Sequence, residues 1–160
     1  MKIGPVDVIL AVEAGSWPPQ TELEPMVEDA LSAALAEAGI ADGGETELGI
    51  TFTDDASIAA LNRDWRGKPS PTNVLSFPVV QIAPADPLPA ALGDIVLAFE
   101  TVKREAEVDE KPFAHHLVHL VVHGFLHLLG HDHMDDDEAE AMEAMERRVL
   151  ARLAIADPYG

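Results

Sequence analysis

The stretch HLVVHGFLHLLGHDH, residues 119–133, contains five of the seven histidines of a 160-residue chain and lies in its most hydrophobic region. Its apolar residues, with a proline before them and a glycine after them, predict a helix from about Pro112 to Leu129. His123 and His127 are four residues apart, so they lie one turn apart on one face of that helix. Two imidazoles at this spacing can chelate one ion. The stretch therefore predicts a central helix with a metal site at its end.

The third ligand is predicted to follow the helix. Gly130 can adopt the left-handed conformation that ends a helix and reverses the chain, which brings His133 back toward the pair. Three neutral imidazoles leave a fourth position open for water, as in catalytic zinc sites. His131 is an alternative third ligand, but it directly follows the glycine and has less reach. Three imidazoles also accept nickel, cobalt, iron or copper, so the spacing leaves the ion open.

The other polar residues near this pair are expected to have lesser roles. His119 shares the helical face one turn earlier and is predicted to support the site or to pack beside it. His115 and His116 are further away and are expected to be partly solvated. Asp132 is expected either to orient a ligand imidazole or to cap the last helix.

The rest of the chain predicts an α+β fold. Residues 1–160 are expected to form a single domain, with a small mixed sheet of about four strands packed with about five helices. Pro78 is expected to stop its strand or to place it at an edge of the sheet. Strands are predicted at residues 6–12, 47–53, 73–80 and 93–98, and the other helices at 22–38, 57–65, 99–108 and from about 135.

Composition limits the possible functions. The chain has no cysteine, which excludes disulfides and thiolate metal sites and agrees with an expected cytoplasmic location. No apolar run approaches 18 residues, and Asp7 interrupts the first one, so neither a membrane span nor a signal peptide is expected. The formal net charge of −19 repels nucleic acid. An RNA substrate therefore needs a local basic site, and Arg63, Arg66 and Lys68 are the candidates.

The histidine spacing matches that of the metzincin proteases, H-E-x-x-H-x-x-G-x-x-H, with one departure. Position 124 is glycine, where those enzymes place the glutamate that serves as general base. Glycine has no proton-accepting side chain, so peptide hydrolysis by that mechanism has lost its base. The metal site is expected to serve another reaction.

A second unusual stretch is LNRDWRGKPSPTNVLSFP, residues 61–78. A helix end, a proline loop and an edge strand account for its glycine and prolines, but not for the basic cluster of an acidic protein. Together with GDIVLA at 93–98 and the histidine stretch, it resembles the YbeY family of bacterial endoribonucleases that mature ribosomal RNA. The resemblance covers about residues 61 to 133.

This resemblance implies a metal centre and a functional arginine. The ligands of the family map onto His123, His127 and His133, zinc is the expected ion, and the arginine maps onto Arg66. Two departures concern the loop contacts rather than the ligands. The loop reads KPSPTN where the family more often has an acid before the Pro-Thr pair, and His131 stands where tyrosine is common.

The predicted function is that of a metal-dependent endoribonuclease. The resemblance implies single-stranded ribosomal RNA as substrate, in 16S 3′ end maturation and ribosome biogenesis, with the small ribosomal subunit as partner. Arg66 could hold the scissile phosphate, because a guanidinium donates two parallel hydrogen bonds to a phosphate. Alternatively, Arg66 pairs with a nearby acid and is structural. Two other functions stay open: a metal-dependent hydrolase of another class, such as a peptidase, and a non-enzymatic ribosome-assembly factor with a structural metal.

Overall fold

The fold is built on one mixed β-sheet. A computed structural model of the protein describes residues 1–40, 45–132 and 134–159. Within these residues the sheet has five strands: β1 (Lys2–Ile3), β2 (Val6–Val12), β3 (Thr46–Thr53), β4 (Val74–Pro78) and β5 (Ala91–Ala98). The same residues form five helices: α1 (Gln20–Ala38), α2 (Asp55–Arg66), α3 (Phe99–Val108), α4 (Phe113–Leu128) and α5 (Asp136–Arg152).

The strands follow the order β1-β2-β3-β5-β4. The inner pairs β2–β3 and β3–β5 are parallel, whereas β1 and β4 pair antiparallel at the two edges. The predicted α+β fold with a mixed sheet is confirmed. The predicted strands are present, and Pro78 ends the edge strand β4, where its missing N–H costs no ladder hydrogen bond. The two-residue strand β1 was missed because so short a strand has no measurable alternation.

The sheet is covered on both faces, and β5 shows how. Ile95 and Leu97 pack into the main core with α1, α4 and α5. Val96 and Ala98, which alternate with them, pack on the opposite face against Ile58 of α2. A strand buried on both faces reads as a continuous apolar run, which is why this segment lacks alternation in the sequence.

Local capping sets the helix ends near the site. The Asp54 side chain accepts a hydrogen bond from the Ser57 N–H at 2.8 Å and caps α2, and Gly67 ends that helix with a φ of 69°. Asp135 caps α5 by accepting from the Glu138 N–H at 2.8 Å. Asp132 is therefore not the cap of the last helix.

None of the described helices has the length and apolar character needed to cross a membrane.

Candidate functional site

A cleft of about 540 Å³ lies where the C-terminal half of α4 meets the edge strand β4 and the end of α2. It contains Arg66, His123 and His127, so the predicted arginine and the predicted histidine pair lie at one place. The other lining residues are Asn73, Val74, Ser76, Pro78, Gln81, Ile82, Leu128, Gly130, His131, Asp132 and Met134. Most of these side chains belong to β4 and to the turn that follows α4.

His123 and His127 lie side by side on α4, as their spacing predicts. Their ring centroids are 4.7 Å apart and the ring planes are nearly perpendicular. His123 Nδ1 forms a short hydrogen bond with Glu146 Oε1, from a helix, α5, that packs on α4. An ionised carboxylate only accepts, so Nδ1 carries the proton of a neutral His123 ring. With the proton on Nδ1, Nε2 is the ring nitrogen whose lone pair suits a metal ion.

Glu146 is fully buried and keeps its negative charge. Burial alone would raise the pKa of this carboxyl group, but the rings of His119 and His123 and the Tyr159 hydroxyl lower it to about 2. Tyr159 donates its hydroxyl hydrogen to Glu146 Oε2, so both carboxylate oxygens are engaged. Burial and this carboxylate together raise the pKa of Tyr159 well above its usual range.

His119 lies against this carboxylate, and the described lining of the cleft does not include it. Its Nε2 is 3.8 Å from Glu146 Oε2 and 3.5 Å from the Tyr159 hydroxyl oxygen. Its ring also packs edge-on against the Tyr159 ring, at a centroid distance of 5.8 Å. This position agrees with a supporting role for His119 behind the histidine pair.

The third predicted ligand, His133, lies outside the described residues, so its role stays a prediction. Within the described part of the chain, no group of three His, Cys, Asp or Glu side chains is placed to hold a metal ion. His131 lines the cleft, and burial, followed by the charge of Arg148, lowers its pKa. A neutral imidazole at this position keeps the His131 alternative open.

Arg66 is the last residue of α2; it is exposed and lines the cleft, and the left-handed Gly67 then ends the helix. The loop that follows is held by the buried Asn62, whose Nδ2 donates to the Ser70 carbonyl at 2.9 Å. Among the described residues, Arg66 forms no ion pair, whereas its neighbour Arg63 pairs with Asp64 at 3.2 Å. Thus nothing in the described part of the chain supports the purely structural alternative for Arg66.

Gly124 is buried where α4 packs closely on the sheet. A Cβ at this position would lie 3.1 Å from Ile95 Cγ2 and 3.2 Å from Ser76 Oγ. The Ser76 hydroxyl also donates to the Gly124 carbonyl at 3.2 Å. The side chain of a glutamate at position 124 would crowd Ser76 of β4 and Ile95 of β5. Gly124 therefore has a packing role, and its lack of a side chain also leaves the cleft without the general base of the metzincins.

Comparison with known proteins identifies the family of this chain. A family model described as endoribonuclease YbeY matches residues 13–154. The chain belongs to the YbeY family. The match extends well beyond residues 61–133, which carry the motif resemblance.

Relatives in the YbeY family are similar over nearly their whole length. Endoribonuclease YbeY of Sinorhizobium medicae (strain WSM419) is 52% identical over 160 residues, which covers 97% of this chain and 95% of the relative. Endoribonuclease YbeY of Rhodopseudomonas palustris (strain BisB18) is 51% identical, with 98% and 94% covered. The solution structure of TM1509 from Thermotoga maritima has a TM-score of 0.58 at 21% identity, covers 95% of this chain and 98% of its own, and shares the fold.

Sequence reasoning missed Glu146 and Tyr159 in this YbeY family member. A signal for Glu146 is present, because this acid interrupts the apolar stripe of α5 between Met142 and Val149. An acid at a core position needs a buried partner, and here the partner is a predicted ligand. Tyr159 offers no such local signal.

The expectation that His116 is partly solvated was wrong. His116 is only 5% exposed, and its Nε2 hydrogen-bonds Glu105 Oε1 at 2.8 Å. Glu105 also accepts from Asn73 Nδ2 at 3.0 Å, and Asn73 lines the cleft. His116 is therefore part of the framework that holds β4 at the site. His115 is exposed, as expected.

Proposed function

We propose that this protein is a metal-dependent endoribonuclease that cuts single-stranded regions of ribosomal RNA. The observation that carries the proposal is the shared cleft, which brings Arg66 to the same surface as His123 and His127. The named relatives are endoribonucleases, and the chain covers nearly all of their length.

Zinc is the proposed ion, with His123, His127 and His133 as its ligands. The described residues fit such a group, because two neighbouring imidazoles line the cleft and the bond from Nδ1 of His123 to Glu146 assigns the ligand role to Nε2. An ion of this kind supplies Lewis acidity and a bound water of lowered pKa. Such an ion would supply the activation of water that, in the metzincins, also uses the glutamate replaced here by Gly124.

Arg66 is proposed to bind the scissile phosphodiester. Its guanidinium is permanently charged and can donate two parallel hydrogen bonds to phosphate oxygens. It is exposed at the rim of the cleft and forms no ion pair with a described residue. A phosphate held there lies beside the histidine pair, with positive charge where charge develops during cleavage.

Cleavage of an RNA that spans a 16S ribosomal end tests this proposal. The wild-type protein is expected to cut the RNA, and Arg66→Ala and His127→Ala are each expected to lower the cleavage rate by about 100-fold or more, as for the loss of an essential electrostatic group. Arg104→Ala is the matched control, because Arg104 is an exposed arginine of α3 that pairs with Asp55 outside the cleft. Equal cleavage by all four purified proteins would exclude a catalytic role for the cleft.

The small ribosomal subunit is the proposed partner, and the cytoplasm the proposed location. A ribosomal partner would deliver RNA to a protein whose net charge of −19 repels it at long range. Cosedimentation with the small ribosomal subunit tests the proposed partner. It separates an enzyme that binds the subunit that carries its RNA from one that acts only on free RNA.

A further inference from the structure

Trp65, the residue before Arg66, has a solvent-exposed indole at the edge of the sheet. Its spacing from Ile58 and Leu61 continues the core-facing stripe of α2. Nevertheless Trp65 is 71% exposed, whereas Ile58 is fully buried. The reason is that β4, the strand beneath this end of α2, is the last strand of the sheet. The indole therefore extends past the edge of its own core.

The Trp65 ring is supported by Phe77. Their ring centroids are 5.9 Å apart with an interplanar angle of 57°. Phe77 lies on β4 and packs on the α2 face of the sheet, whereas its neighbours Ser76 and Pro78 line the cleft on the other face. Trp65 and Phe77 therefore lie across the edge strand β4 from the cleft. The tilted contact with Phe77 leaves most of the indole surface accessible, one residue from the arginine proposed to bind phosphate.

We infer that Trp65 is a stacking site for an unpaired nucleobase of the RNA, next to the phosphate bound by Arg66. This inference rests on the proposed function and names how the substrate is selected. Stacking on an aromatic ring requires a base that is not paired in a duplex, so Trp65 favours single-stranded RNA. An aromatic ring beside an arginine also supplies attraction that does not depend on the overall charge, which is needed in an acidic protein.

The KM for a single-stranded RNA that spans a 16S end tests the inference. Trp65→Ala is expected to raise KM about tenfold with little change in kcat, as for the loss of one stacking contact. Trp65→Phe, which keeps a ring, is expected to restore most of the affinity. Val108→Ala is the control, because it also removes an exposed apolar side chain (75% exposed) but lies at the end of α3. An RNA with abasic nucleotides around the cut is expected to bind wild type and Trp65→Ala equally.

Indole fluorescence gives a measurement that does not depend on cleavage. The protein has two tryptophans, and Trp17 packs against Phe52 and Phe99 with its Nε1–H donating to the Thr53 carbonyl. Single-stranded RNA added to the His127→Ala variant is expected to quench its indole emission. In the double variant that carries both His127→Ala and Trp65→Phe, the quenching is expected to disappear. If wild type cuts the RNA, either of two results would overturn the inference and leave the proposed nuclease intact. One is unchanged emission, and the other is a KM for Trp65→Ala equal to that of wild type.

Discussion

The carboxylate of Glu146 decides which nitrogen of His123 faces the cleft. It accepts from Nδ1, so a single buried acid on α5 sets the tautomer of a predicted ligand on α4. Tyr159 and His119 engage the other carboxylate oxygen and hold it in place. The predicted ligand is thus oriented by residues that are distant from it in sequence.

Glu146→Gln is expected to weaken zinc binding by about 10- to 100-fold, the usual effect of losing a partner that orients a ligand histidine. The amide keeps the volume but loses the charge, so it no longer fixes the proton on Nδ1 of His123. Competition titration with a chromogenic chelator measures the affinity, and the absorption spectrum of the cobalt-loaded protein reports the ligand geometry.

Glu140→Gln is the control for Glu146→Gln, since Glu140 is an exposed acid of the same helix. It is expected to bind zinc like wild type. Equal zinc affinity in the Glu146 and Glu140 variants, with both folded by thermal denaturation, would show that Glu146 does not orient His123.

At the scale of elements, the turn after α4 joins the histidine helix to the loop beside it. Gly130 has a φ of 101°, and a Cβ there would lie 2.3 Å from the Ile82 carbonyl oxygen. Its N–H donates to the His127 carbonyl, and the next N–H, of His131, donates to the Leu126 carbonyl, both at 3.0 Å. Glycine is required here both for the backbone conformation and for the close approach of residues 82 and 83.

Gly130→Ala is expected to destabilise the protein more than Gly39→Ala. Both glycines have positive φ, and a left-handed conformation costs alanine about 1 to 2 kcal/mol. Only at Gly130 does the new methyl group also meet backbone, which adds about 1 to 3 kcal/mol for overpacking, whereas the space around Gly39 is open. Denaturant unfolding of both variants measures the difference, and equal losses of stability would refute the close approach at Gly130.

Most elements could be predicted from the sequence because their signals are local. Periodicity, Asp54 and Gly39 place α2 and α1 within a few residues, and the apolar run of β5 reflects burial on both faces. The spacing of His123 and His127 predicts their adjacency, since one helix determines it. In contrast, the contacts of Glu146 with His123 and of Trp65 with Phe77 depend on how separate elements pack, which no local pattern encodes.

At the scale of the whole molecule, α3, α4 and β4 are joined by one partly buried hydrogen-bond network. His116 of α4 bonds Glu105 of α3, and Glu105 accepts from Asn73 at the start of β4. His116 Nε2 donates to the carboxylate, and the buried Nδ1 has no hydrogen-bond partner among the described residues. A second proton on this ring would therefore be placed where nothing described can accept from it.

The free energy of unfolding is expected to fall with pH below neutrality, in part through His116. Burial, partly offset by Glu105 and reinforced by Lys111 and His119, lowers the pKa of His116 below its ordinary value of 6.5. As pH falls through 6.5, the unfolded chain gains a proton at this position that the folded protein does not, so stability declines until the folded pKa is reached. One such proton contributes at most about 1.4 kcal/mol per pH unit.

Denaturant unfolding between neutral and mildly acidic pH measures this slope, and His116→Asn is expected to reduce it. His115→Asn, which removes the exposed neighbouring imidazole, is the matched control. A slope in His116→Asn as steep as in wild type would show that the buried imidazole is not a source of the acid sensitivity.

The central claim is that the cleft beside Arg66 is a metal centre built on α4. An anomalous difference map from crystals of the zinc-loaded protein, collected at the zinc absorption edge, tests it most directly. The account predicts one strong peak about 2.0 to 2.1 Å from Nε2 of His123 and from a ring nitrogen of His127, with His133 as the third ligand. A map without a peak at His123 and His127, or with the ion bound elsewhere, would contradict it.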